Sequence, residues 1–151
     1  MLYKNPQRMT ILGEQTPQAV IYKHESHKLH QAFKVKEGET IIQGQPVKLE
    51  SDGTISGYTG TGLYLGIAIT NSETPAYPQP SVEVTVAVEG FMVVYGVSEA
   101  AISSCGAVKP SAPAADSLYV KYSTDTVSTD PKFIALNTTS AADELVQILV
   151  K

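Results

Sequence analysis

Residues 82–88 read VEVTVAV, with valine at every second position, and this alternation constrains the chain more than any other feature. Successive side chains on a strand point to opposite faces, so Val82, Val84, Val86 and Val88 share one face while Glu83 and Thr85 share the other. A helix would scatter the same valines around its axis. The pattern predicts a strand half buried against a core. Phe33 and Val35 alternate with Lys34 and Lys36 in the same way, and residues 46–50 form a further short strand. YLGIAIT (64–70) is mostly apolar and reads as a strand buried on both faces. Residues 91–95 continue past Gly90, where a bulge or bend is expected. The segment NSETPAYPQPS carries Pro75, Pro78 and Pro80 and is expected to be an exposed loop. Helical signal is confined to SEAAISSC (98–105) and SAADE (140–144), each opened by a serine N-cap and each too short to stand without packing. The expected fold is mainly β, a compact sandwich or barrel-like domain with one or two short helices.

The elements recur. VKLESDGTIS (47–56) reads as a strand, an S-D-G turn and a second strand, and VKYSTDTVS (120–128) follows the same pattern with Gly53 deleted. LGIAITNS around Ile67 and Ile69 matches FIALNTTS around Ile134 and Leu136. VEVTVAV matches VQILV, setting Val82, Val84 and Val86 on Val146, Ile148 and Val150. Blocks in the same order with shorter loops between them are the signature of an internal duplication. Two copies suit one pseudo-symmetric sandwich or barrel, with unit one at about residues 38–95 and unit two at about 96–151.

Composition narrows the function. At 151 residues the chain is one domain or two small subdomains sharing a core, and it can bury enough surface to fold without staples. The single Cys105 has no internal disulfide partner, lacks the spacing of a nucleophile elbow and reads as a small buried or half-buried residue. Net charge is −4 and the lysines are interrupted by glutamates, which argues against a nucleic-acid partner. No segment has the apolar length of a membrane span, and MLYKNPQRMTILGEQTP lacks the apolar core of a signal peptide. Synthesis in the cytoplasm is the expectation, with export only inside something larger.

Residues 1–32 differ from the rest and divide from a β domain at 33–151. They are polar, carry Pro6 and Pro17, and hold only short apolar islands, Ile11–Leu12 and Val20–Ile21–Tyr22. One reading is a solvated terminus; the other is an extended arm that orders on a partner, with Ile11, Leu12, Val20, Ile21 and Tyr22 as anchors.

Motifs for chemistry are weak. His24, His27 and His30 are three apart, so they drift around a helix and alternate across a strand, and no carboxylate completes a metal site; no metal or cofactor is expected. Asp52 and Asp125 read as turn residues rather than calcium ligands. TGTGLYLG lacks the helix and lysine of a phosphate loop. No catalytic residue is nominated, and the chain is not expected to be an enzyme. Tryptophan is absent, but there are 8 tyrosines, and Tyr58, Tyr64 and Tyr77 flank Gly- or Pro-rich loops where a sugar-stacking platform would sit. Tyr95, Tyr119 and Tyr122 are expected to pack within or between sheets.

The order GETIIQGQPVKLESDG (38–53), YLGIAIT (64–70), VEVTVAVEG (82–90) and a shortened second copy resembles the head-decoration, or capsid-cement, proteins of tailed bacteriophages. The likeness is one of pattern and covers about residues 33–150. It implies a compact β protein, commonly a homotrimer, that binds the major capsid protein on the outside of the expanded shell and reinforces it. It implies no catalytic residues and a place on the virion surface; whether a head fibre is a further partner stays open. The long arm and the NSETPAYPQPS insertion depart from the family pattern and leave the oligomer and the lattice position open. A glycan- or host-surface-binding module of a virion, using Tyr58, Tyr64 and Tyr77, is the alternative.

Overall fold

The computed structural model describes residues 29–72, 82–88, 91–113 and 118–151, together with the backbone of residues 21–24. Within them the chain is mainly β, in two sheets. The first is built from β2 (His30–Lys34), β3 (Pro46–Leu49), β4 (Ile55–Gly57), β5 (Leu63–Ala68) and β6 (Glu83–Ala87). Its order is β2-β6-β5-β3-β4, and a parallel bridge between Val35 and Ile55 joins the two ends into a small barrel. The Lys36 amide donates to the Ile55 carbonyl at 2.9 Å across that join. Closure removes the unpaired edges that an open sheet would expose. Ile41, Val47, Ile55, Ala68, Val84 and Val86 fill the inside. The valine alternation therefore lies where the sequence places it, with Val84 and Val86 inward and Glu83 exposed.

The second sheet contains β1 (Ile21–His24), β7 (Met92–Ser98), β8 (Ala107–Pro110), β9 (Lys121–Thr124), β10 (Phe133–Ala135) and β11 (Leu145–Val150), in the order β1-β7-β11-β10-β8-β9. Here too the ends meet, because β9 runs parallel to β7 through Val97↔Lys121 and Ser98↔Tyr122. In both rings the first strand pairs antiparallel with the fifth and parallel with the third. β1 lies outside this scheme, antiparallel to β7 along the part of its edge that β9 leaves free, with Ile21 opposite Val94 and His24 opposite Met92. Strand pairing thus reaches back to Ile21, and the boundary expected between residues 32 and 33 falls inside β2. The division expected near residues 95 and 96 falls inside β7.

Two local expectations are corrected. Residues 120–128 do not form a hairpin: β9 ends at Thr124 and the chain turns toward β10. What the two stretches share is turn chemistry. The Asp52 carboxylate accepts the Thr54 amide at 3.0 Å, and Asp125 accepts the Val127 amide at 3.0 Å. By position in its ring, β3 corresponds to β8, so QPVKL matches GAVKP (106–110) instead. The expected helices are also absent among the described residues. Residues 98–102 and 139–144 pair with each other, so their polar backbone groups have partners without a helix. The Ile102 and Thr139 amides donate to each other's carbonyls at 3.1 and 2.9 Å. The Ser98 hydroxyl donates to the Ala141 carbonyl at 2.7 Å and accepts the Glu144 amide at 3.2 Å. A third difference is Cys105, which is exposed at a left-handed turn position, φ 64°, its amide donating to the Ala135 carbonyl.

The largest fully buried side chain lies in the second ring. Tyr122 is fully buried, and it fits because Gly96 faces it: a Cβ there would lie 2.5 Å from the Tyr122 ring and 2.9 Å from the Val120 carbonyl oxygen. Among the described residues the Tyr122 hydroxyl has no hydrogen-bond partner, and burial pushes its pKa well up. Gly66 plays a comparable part in the first ring, where a Cβ would meet the Ala87 carbonyl oxygen at 2.0 Å.

Gly96→Ala should destabilise the fold by about 1–3 kcal/mol through overpacking, read as a lower urea midpoint at unchanged slope. Tyr122→Phe removes an unsatisfied buried hydroxyl and should leave stability unchanged or raise it by about 1 kcal/mol. A large loss in Tyr122→Phe would mean that the hydroxyl has a partner.

Candidate functional site

The two rings share a core. Ile67 and Ala87, paired across β5 and β6, point away from the first ring's interior and join the buried cluster of the second, which includes Met92, Phe133 and Val150. Around them lies an aromatic seam. The Tyr64 ring meets Phe133 edge-on with centroids 5.5 Å apart, and Tyr58 packs on Tyr64 at 5.2 Å and on Phe133 at 6.2 Å. Such pairs add roughly 0.5–1.5 kcal/mol each beyond the area they bury. Burial first, and the neighbouring Tyr58 second, raise the pKa of Tyr64 well above that of a free phenol. Tyr58 and Tyr64, nominated as a sugar platform, are half buried and pack against Phe133; Tyr77 lies outside the described residues. Tyr122 lies 6.1 Å from Phe133 on the other side, and Tyr95 and Tyr119 are half buried.

The other nominated residues separate. Ile11, Leu12, Val20 and His27 lie outside the described residues. For Ile21, Tyr22 and His24 the backbone on β1 is placed and the side chains are not. His30 is exposed at the start of β2. Among the described residues no three metal-ligating side chains come together.

Charged groups make local staples rather than a reactive cluster. Glu50 accepts the Ser56 hydroxyl at 3.0 Å and faces Lys36 at 3.2 Å and Lys48 at 3.9 Å. These contacts, the Ser56 bond foremost, hold its carboxyl below the usual range. Glu144 accepts both the amide and the hydroxyl of Ser140 at 2.8 Å, and its pKa is lowered by those two bonds. Lys121 pairs with Asp143 at 2.8 Å, which raises the lysine pKa. All of these groups are at the surface, where ion pairs contribute little to stability.

The feature with most capacity for binding is a surface. Strand alternation sends Met92, Val94, Gly96 and Ser98 inward and leaves β7 presenting Val93, Tyr95 and Val97 outward. β11 presents Leu145, Gln147 and Leu149 beside them, through Val97↔Leu145, Tyr95↔Gln147 and Val93↔Leu149. Ile134 on β10 stands next to Leu149, and Leu136 follows it at 44% exposure. Gln147 lies among them, and its side-chain amide donates to the Tyr95 hydroxyl at 3.3 Å. The side chains that these strands supply to the face are uncharged; Leu145 and Leu136 are exposed and the others half buried. Its signal was in the sequence: MVVYGVS and LVQILV are apolar at both parities, as a strand buried on both faces requires.

No protein-family model matches this chain, and no curated protein matches it.

Phe133→Ala should cost about 3–5 kcal/mol by emptying the seam, and in a double-mutant cycle its effect should be non-additive with Tyr64→Ala. Additive losses would mean that the rings do not rely on this contact. For pH, a carboxyl lowered on folding contributes above its unfolded pKa, near 4.5, and that contribution is lost as pH falls through the folded value. Glu144→Gln should therefore lower the urea midpoint at pH 7 and match the native chain once both are studied well below pH 4.5.

Proposed function

We propose that this chain is a structural virion protein that binds the outer surface of a phage capsid and stabilises the expanded shell. The observation that carries the reading is the body itself. Two rings of identical wiring are locked through one core into a two-lobed platform, with an apolar face on one lobe. The resemblance of GETIIQGQPVKLESDG, YLGIAIT and VEVTVAVEG to capsid-cement proteins supplies the partner, the major capsid protein. The shared strand order, with the matches of QPVKL to GAVKP and VEVTVAV to VQILV, supports an internal two-fold repeat as its origin.

A cement protein works by linkage: whatever binds only the mature shell stabilises it in proportion to occupancy. On this reading the chain performs no catalysis, forms a closed homotrimer, and gains avidity from contacts made by each subunit. Ile11, Leu12, Val20, Ile21 and Tyr22 remain the proposed capsid-facing anchors, and a head fibre is a further proposed partner. The glycan-binding alternative would use Tyr58 and Tyr64, which are half buried against Phe133, together with Tyr77.

The test is co-sedimentation of the full chain with expanded and unexpanded tailed-phage shells, with its mass taken by light scattering. Binding confined to expanded shells, raised shell melting and a mass three times the 16.1 kDa chain are expected. A monomer that ignores every shell would end the cement reading.

A further inference from the structure

The first strands of the two rings correspond residue by residue, and one position that is filled on β7 is open on β2. Val84 and Val86 match Ile148 and Val150 in the repeat. Phe33 lies opposite Val84 and Gln31 opposite Val86, while Val94 lies opposite Ile148 and Met92 opposite Val150. Gln31, Ala32 and Phe33 therefore stand on β2 where Met92, Val93 and Val94 stand on β7. The joins agree with this register. Lys36 donates its amide to the Ile55 carbonyl, and its counterpart Val97 donates to the Val120 carbonyl.

On β7 that stretch carries β1, with Ile21 opposite Val94, Lys23 opposite Val93 and His24 opposite Met92. On β2, among the described residues, β6 takes one edge and β4 reaches the other only at the Val35 bridge. The Val35 amide donates to the Val82 carbonyl at 2.8 Å, and the Leu29 carbonyl accepts the Val88 amide at 2.9 Å. Odd-numbered residues of β2 thus turn their backbone groups to β6, and Ala32 turns its own to the outer edge, as Lys36 does. Burial follows the same contrast: Phe33 is half buried where Val94 is fully buried, and Ala32 is exposed. A sheet edge with outward amides and carbonyls is a template for an added strand.

The second ring shows what such an edge takes: an extended segment of four residues, antiparallel, with an aliphatic residue opposite the Val94 position. The chain's own β1 is already placed on β7. Two β2 edges from separate copies fit poorly, because antiparallel pairing about Ala32 sets each Phe33 opposite a glutamine, Gln31, and each Lys34 opposite His30. We propose that the outer edge of β2 at residues 31–33 is a strand-acceptor site for an extended segment of the major capsid protein, antiparallel to β2 with an aliphatic residue opposite Phe33. The donor's identity rests on the capsid reading; the acceptor edge rests on the ring geometry alone.

The test uses the full-length chain and its Ala32→Pro variant. Proline at 32 removes the outward amide and leaves the odd-numbered groups on β6, so the urea midpoint should stay close to native. In the free native chain the Ala32 amide should exchange with solvent about tenfold faster or more than that of Phe33. Equal protection would mean that the edge is already covered and would overturn the proposal. A peptide of residues 19–25, AVIYKHE, serves as a strand donor that needs no capsid. Saturable NMR shifts at residues 31–34, lost in Ala32→Pro, are expected. No shift there, or shifts confined to Val93 and Val94, would overturn the acceptor site. On expanded shells Ala32→Pro should bind about tenfold more weakly than the native chain, as the loss of one backbone hydrogen bond implies. Equal binding would overturn the capsid protein as donor and leave the capsid reading standing. If the native chain ignores every shell, reading and donor fall together, and the peptide decides the edge by itself.

Discussion

Both rings depend on one pairing of the same kind, the parallel contact between a first and a third strand. Without Val35 against Ile55, and Val97 and Ser98 against Lys121 and Tyr122, each ring would be an open sheet of short strands with two bare edges. Short strands hold few ladder bonds, and a sheet of this size needs a filled interior to persist. Closure provides that interior. It also fixes what fills it, because a five-stranded ring leaves space for only a few side chains. Valine and isoleucine suffice in the first ring. In the second a tyrosine occupies the centre, and a glycine opposite makes room for it.

The join between rings follows from the same economy of space. Ile67 and Ala87 are buried although they point out of their own barrel, so the β5–β6 pair is apolar on both faces. Tyr58, Tyr64 and Phe133 then seal the perimeter of that contact. The result is one continuous core beneath two separate hydrogen-bonded rings. On the outer face of β7, β11 and β10 apolar side chains continue beyond the core.

Much of this was legible in the sequence because it rests on alternation. β6 could be read from VEVTVAV, β5 from YLGIAIT, and the matches of β5 to β10 and β6 to β11 follow positions that share an inward face. The hairpin match misled because two Asx turns look alike whatever strands they join; Asp52 links β3 to β4, while Asp125 follows β9. The β3-to-β8 equivalence was hidden because the shared GAVKP is short and β8 carries Pro110. The serines at 98 and 140 look like helix caps, yet Ser98 binds the 139–144 segment, a long-range contact that local propensity cannot show. Tyr58 and Tyr64 sit beside loops in the sequence and against Phe133 of the neighbouring ring in the fold. No local pattern distinguishes a rim tyrosine from a buried one.

The placement of β1 bears on how the molecule is made. β1 belongs to the second sheet, but the whole first ring separates it from β7 along the chain. A ribosome adds roughly 5–20 residues per second, so β1 is complete several seconds before its partner strand exists. During that interval it is a strand edge without an acceptor, and the first matching β7 to appear on a crowded message can belong to a neighbouring nascent chain. Exchange of such a segment between identical chains leaves every pairing intact and creates a linked assembly at little energetic cost.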